Sequence, residues 1–309
     1  MKIVILDAKT LGADVSLSRF EDFGALRIYE TTSKEQTIER VRDVDIVLTN
    51  KVVLDKEVLS QCPSLRYIGI LATGTNNIDL EFAKEQNITV KNASNYSSAS
   101  VAQHTLAMVL ALLHGVRELD LFARDGWSES GLFTFWDKPF FEIEGKTWGI
   151  VGLGNIGKKV ASVARGLGAE ILSHSPSGVS YDDKCNPTSL TNLLQNSDII
   201  SIHSPLNKYT LGLIGKDELL RMKDEAILVS VARGGIVNEN DLCEVLDAKP
   251  IYVGLDVLTQ EPIVKEHPLL QIKHKNRLLL TPHSAWASIE SRKRLLDITH
   301  QNINTYLNQ

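Results

Sequence analysis

The stretch TWGIVGLGNIGKKVASVARGLGAEILSHS, Thr147 to Ser175, decides the fold. Apolar or small residues from Trp148 to Val151 lead into Gly152-Leu153-Gly154-Asn155-Ile156-Gly157. A helical segment follows, then a second strand-like run, AEILSH. Glycines at this spacing are common in turns. Strand, glycine turn, helix and strand in this order form the pattern of a site for a dinucleotide pyrophosphate. Gly152 permits the tight turn, Gly154 lets backbone approach a phosphate, and Gly157 lets the helix pack closely. The unpaired N–H groups at the helix start then face the anion. The second strand should end in an acid that holds the ribose. Here the chain reads His174-Ser175-Pro176-Ser177, with Ser175 placed 23 residues after Gly152. A serine does not repel a 2′-phosphate, yet no arginine stands beside it to attract one. NAD and NADP both stay open on this ground.

Outward from this segment, short apolar runs alternate with amphipathic helical runs. KIVIL, ALRIY, DIVLT, LRYIGI and ITVKN fall in the first hundred residues; DIISIH, AILVSV, IYVGLDV and RLLLTP follow the glycine turn. Continuous apolar strands joined by helices indicate parallel sheets covered on both faces. Two such series predict two α/β domains: residues 1–99, residues 100–284, and a C-terminal helix over 285–309 that returns to the first domain. A long buried helix begins near a capping-box pattern, Ser100 with Gln103. The segment Asp125 to Pro139, DGWSESGLFTFWDKP, has no period and reads as an extended surface arm. Its Phe133, Phe135 and Trp136 are either satellite core or an oligomer contact.

Composition excludes several classes. The chain has 309 residues, 43% hydrophobic and 23% charged, with a net charge of -5. No long basic run points to nucleic acid. TLAMVLALLHGV is too short to span a bilayer, and the opening MKIVILDAKT does not read as a signal peptide. Cys62, Cys185 and Cys243 are too scattered for a metal site and suggest a reducing, cytoplasmic compartment.

Chemistry-bearing residues recur at predicted strand ends. In ILVSVARGGIVNEN, Ile227 to Asn240, Arg233 closes an apolar run and precedes two glycines. It is either the first solvated residue of a loop or the partner of an anion. Asp256 ends IYVGLD, Glu261 lies in TQEP, and His283 follows LLLTP. Each alone reads as an ordinary loop residue. Beside a nicotinamide they fit hydride transfer at a carbon bearing oxygen. A histidine moves the proton, a carboxylate fixes its tautomer, and an arginine holds a carboxylate beside the carbonyl.

These residues together resemble the D-2-hydroxyacid dehydrogenase family, in its glycerate dehydrogenase or hydroxypyruvate reductase branch, over essentially the full chain. The resemblance implies a flavodoxin-like substrate domain and a Rossmann-like NAD(P)-binding domain flanking a cleft. It implies a catalytic set of Arg233, Glu261 and His283. In LATGTNNIDL it implies that Thr73, Gly74 and Thr75 hold the substrate carboxylate, with Arg233. The matching cofactor positions are Thr105, Gly152, Gly154, Asn155, Ile156, Gly157, Ser175, Pro205, Thr210, Val231, Ala232 and Asp256, for NAD or NADP with NAD slightly favoured. A homodimer is implied, and no metal. HSAWAS, His283 to Ser288, is especially like the glycerate branch. Two departures stand out: Ser175 replaces the ribose-binding aspartate, and Gln103 replaces a common glutamate. The alternatives are a dehydrogenase for pyruvate, phenylpyruvate or a branched-chain keto acid, or a non-catalytic dinucleotide-sensing module that binds protein. The intact Arg, Glu and His set favours the enzyme.

Overall fold

The computed structural model describes residues 1–136, 139–178 and 185–309. The chain divides into two compact units, Met1–Ser97 with Trp286–Gln309, and Ser98–Ala285.

The first unit is built on β1 (Lys2–Ile5), β2 (Ala25–Ile28), β3 (Ile46–Thr49), β4 (Tyr67–Ile70) and β5 (Thr89–Asn92). All pair in parallel, in the order β2-β1-β3-β4-β5. This is the flavodoxin-like order that the resemblance implies. β3 and β4 are buried at every position, which is why their apolar runs are continuous rather than alternating. The helix Ile289–Leu307 lies on β4 and β5 and buries Leu295, Leu296 and Ile303. Ser288 caps it by accepting the Ser291 N–H.

The second unit carries β6 (Thr147–Val151), β7 (Glu170–His174), β8 (Asn186–Pro187), β9 (Ile199–Ile202), β10 (Ile227–Ser230), β11 (Tyr252–Leu255) and β12 (Leu278–Leu280). The order is β12-β11-β10-β9-β6-β7-β8, again parallel. Counted from β6, this is the Rossmann order with one strand added. The direction of winding reverses between β6 and β9, so ligands are expected outside the carboxyl ends of these two strands. β8 has no counterpart in the sequence reading: it is two residues long, Asn-Pro, and exposed.

The helix Ser98–His114 packs on β10 and β11. Gly254 makes room for it, since a Cβ there would lie 3.0 Å from the Met108 methyl. The expected capping box is corrected. The helix begins at Ser98, and the Ser100 hydroxyl donates instead to the Ala285 carbonyl at 2.7 Å. The arm is not wholly extended either, because Trp127–Ser130 forms a short helix. Phe135 stacks on Phe122 with centroids 3.8 Å apart, and both rings are half-buried. Phe133 and Trp136 remain 95% and 63% exposed. Asp137 and Lys138 of the arm lie outside the described residues.

Candidate active site

The glycine turn sits at the switch point of the seven-stranded sheet. Gly152 has φ +93°, and a Cβ there would strike the Ser204 hydroxyl at 2.4 Å. A Cβ on Gly157 would lie 2.3 Å from the Gly152 carbonyl, so this glycine lets the helix Asn155–Gly166 seat directly on the turn. Gly154, the N-cap, has open space where its Cβ would be and offers no side-chain cap. An anion at this helix start would meet backbone N–H groups, those of Ile156 and Gly157 among them. On the other side of the switch point, the His203 N–H donates to the Val151 carbonyl at 2.8 Å. Both His203 ring nitrogens and the Ser204 and Ser230 hydroxyls are buried without a partner among the described residues. Burial pushes the His203 imidazole down to about 3, so it is neutral near pH 7. Unpartnered polar atoms at the carboxyl ends of β9 and β10 fit a site completed by a polar ligand.

The remaining cofactor positions are placed as follows. Thr210 donates to the Pro205 carbonyl at 2.6 Å and braces the loop after β9. Val231 and Ala232 follow β10, Val231 buried and Ala232 half-buried. Ser175 directly follows β7, with its hydroxyl 3.1 Å from that of Ser177. Thr105 is fully buried and donates to the Val101 carbonyl within its own helix at 2.8 Å. Thr73, Gly74 and Thr75 follow β4 in the first unit, where the Thr73 carbonyl accepts from the Asn92 amide at 2.6 Å.

The chemistry-bearing residues of the second unit draw together. His283 Nδ1 lies 2.6 Å from Glu261 Oε2, and Glu261 Oε1 accepts the Leu258 N–H at 2.9 Å. A backbone donor therefore aims the carboxylate, and the carboxylate aims the ring. The His283 side chain is 24% exposed, and the contact with Glu261 uses Nδ1, not Nε2. Arg233 is half-buried and donates to the Ala232 carbonyl at 2.7 Å. Among the described residues no carboxylate pairs with it, which leaves its fork for an anion. Its neighbour Gly234 packs against the loop of Glu261: a Cβ there would lie 2.0 Å from the Leu258 carbonyl.

Two supports were not foreseen from the sequence, the second of them at Asp256, which was read there as a cofactor contact. Glu239 accepts the Thr259 N–H and hydroxyl at 2.6 and 2.7 Å, and His267 Nε2 approaches its other oxygen at 3.0 Å. His267 Nδ1 accepts the Leu269 N–H, so the ring proton is on Nε2 and points at Glu239. This clasp fixes the loop that bears Glu261. Asp256, 2% exposed, accepts the Ser284 N–H at 2.9 Å, the Ala285 N–H at 3.0 Å and the Thr281 hydroxyl at 2.6 Å. Its carbonyl also takes the His283 N–H at 2.8 Å. His283 has φ +52°, a conformation that a non-glycine residue holds only when its surroundings enforce it.

A Rossmann-order sheet with a glycine turn at its switch point, and a histidine–carboxylate pair at its strand ends, defines a nucleotide-dependent dehydrogenase in outline. The D-isomer specific 2-hydroxyacid dehydrogenase NAD-binding domain matches residues 106–285, and the chain belongs to that family. A hydroxypyruvate reductase of Blautia hydrogenotrophica is 38% identical over 315 residues, covering 99% of this chain and 97% of the relative. A glycerate dehydrogenase of Methylorubrum extorquens is 35% identical, covering 99% and 96%. A solved structure of an acyclic imino acid reductase in complex with NADPH and D-Arg superposes with a TM-score of 0.87 at 28% identity, covering 100% and 98%.

Proposed function

We propose that this chain reduces hydroxypyruvate, and glyoxylate as a smaller analogue, with a nicotinamide dinucleotide, and oxidises D-glycerate in reverse. The carrying observation is the 2.6 Å contact between His283 Nδ1 and Glu261. When bound, the dinucleotide supplies the hydride. His283, protonated, gives the Nε2 proton to the oxygen of the substrate carbonyl as that oxygen gains charge. Glu261 stabilises the imidazolium and fixes its orientation. Arg233 grips the substrate carboxylate and polarises the carbonyl. In oxidation the same histidine must start neutral and acts as the base. The hydroxypyruvate reductase and glycerate dehydrogenase among the relatives support the substrate.

Either dinucleotide binds on this reading, with NAD ahead, because Ser175 can serve a ribose hydroxyl or a phosphate while no arginine adjoins it in sequence. The glycine turn, Pro205, Thr210 and the Asp256 loop form the cofactor's side of the site. We further infer a homodimer. The exposed Phe133 and Trp136, and a cavity of about 340 Å³ lined by His114, Phe122, Trp136, Phe140 and Leu279, support a protein contact there. Cys62, Cys185 and Cys243 form no disulfide among the described residues, which supports a cytoplasmic setting; among the described residues no helix is long and apolar enough to cross a membrane.

One panel tests the substrate. Purified protein with NADH or NADPH is assayed on hydroxypyruvate, glyoxylate, pyruvate, phenylpyruvate and a branched-chain keto acid. Highest kcat/KM on hydroxypyruvate is expected. A higher value on pyruvate or a larger keto acid overturns the substrate. Saturable NADH binding with no turnover of any keto acid favours a dinucleotide-sensing module.

A further inference from the structure

We propose that His104 is a positioning residue for His283, acting through Thr281 and Asp256. The inference rests on the reading of His283 as the proton donor, and it begins from the direction of each hydrogen bond. The Thr281 hydroxyl has one hydrogen to give. It lies 2.6 Å from Asp256 Oδ1 and 4.0 Å from the Met108 sulfur. A buried carboxylate at the shorter distance takes that hydrogen. The Thr281 oxygen can then only accept from His104 Nε2, which stands 3.1 Å away. His104 Nε2 therefore carries a proton, and the relay runs from the His104 N–H through the Thr281 O–H to Asp256. His104 is too far from Asp256 Oδ1, at 3.6 Å, for a hydrogen bond of its own. Its hydrogen bond goes to Thr281.

Asp256 is the residue on which the His283 turn closes. The N–H groups of His283, Ser284 and Ala285 all end on it, the first on its carbonyl and the other two on its carboxylate oxygens. These three consecutive donors hold His283 at φ +52°. A chain of hydrogen bonds polarises each member, so a donor at the far end strengthens the carboxylate's hold on Thr281 and fixes the Thr281 rotamer. Without His104, the Thr281 oxygen loses its donor. The hydroxyl is then free to turn away, and Asp256 grips the loop with one partner fewer. His283 keeps its chemistry but loses part of its aim.

The test compares His104→Leu with His104→Gln, whose amide N–H can take the place of Nε2–H. His104→Leu is expected to lower kcat for hydroxypyruvate reduction about tenfold, the scale of one hydrogen bond to a charged network, with the KM for NADH within about twofold. His104→Gln should recover most of the loss. Thr281→Val should match His104→Leu, and the double variant should be no worse than either, as for residues acting in one chain. Amide exchange reads the relay without turnover. The Ser284 and Ala285 amides should exchange about tenfold faster in His104→Leu, and at the native rate in His104→Gln. Native kcat and native exchange in His104→Leu overturn the proposal. So does His104→Gln behaving like His104→Leu, which assigns the loss to packing. If the native protein turns over no keto acid, the functional reading fails, and the exchange rates still decide the relay.

Discussion

At His283 two demands meet that a loop histidine rarely satisfies together. Its ring must present Nε2 to a substrate, and its backbone must hold a left-handed turn at φ +52°. Glu261 answers the first by engaging Nδ1 at 2.6 Å, and Asp256 answers the second by collecting the N–H groups of the turn. Glu261→Gln keeps an acceptor for Nδ1 but removes the charge that favours the imidazolium. Reduction needs that cation, so its kcat should fall, while oxidation, which starts from the neutral ring, is less affected. Equal loss in both directions contradicts the role of Glu261. Arg233→Ala should lower keto-acid kcat/KM by about 10²–10³, as for loss of a preorganised electrostatic partner, through KM and kcat together. A change in the KM for NADH alone would place Arg233 with the cofactor instead. Ser175→Asp should impair NADPH use more than NADH use; equal impairment means that Ser175 is not at the ribose.

Among the elements, the glycine turn and its helix are the most tightly constrained. Gly157→Ala would push a methyl into the Gly152 carbonyl and should cost about 1–3 kcal/mol of stability, as overpacking does, with weaker NADH binding measured by fluorescence. Native melting and native affinity would show that the turn relaxes freely. The segment after β9 offers a second test. Burial holds the His203 imidazole down to about 3, against an ordinary value of 6.5. Between these values the unfolded chain binds a proton that the native state refuses, so stability is full above 6.5 and falls as pH drops through the window. His203→Leu should flatten the loss between pH 6.5 and 5 in denaturant unfolding. An equal loss in both proteins assigns it to other groups. These elements also show how far the sequence could be read. Continuous apolar runs such as Ile227–Ser230 and Tyr252–Leu255 announce strands buried on both faces, and each became one. β8 was illegible because an exposed Asn-Pro pair at a sheet edge carries no pattern. The start of the Ser98–His114 helix was misplaced because the Ser100 hydroxyl serves a carbonyl 185 residues away. The residue types of the candidate site were legible as strand-end exceptions to an apolar rule. The His104–Thr281 and Glu239–His267 contacts, 177 and 28 residues apart, leave no local periodicity to read.

Over the whole molecule, one chain folds into two units with different sheet orders, and its last helix belongs with its first strands. The exposed Phe133 and Trp136 belong to the second unit. Sedimentation should show a dimer at micromolar concentration that weakens in the variant carrying Phe133→Ser and Trp136→Ser; a native monomer excludes this contact. The central claim is that His283 is the proton carrier in a reduction driven by a nicotinamide dinucleotide. The most direct measurement is hydroxypyruvate reduction by His283→Ala across the pH range, with NADH affinity determined on the same protein. In His283→Ala, kcat/KM should fall by about 10²–10⁴, the usual contribution of a general acid, while NADH binds with nearly native affinity. Near-native turnover at any pH would contradict it.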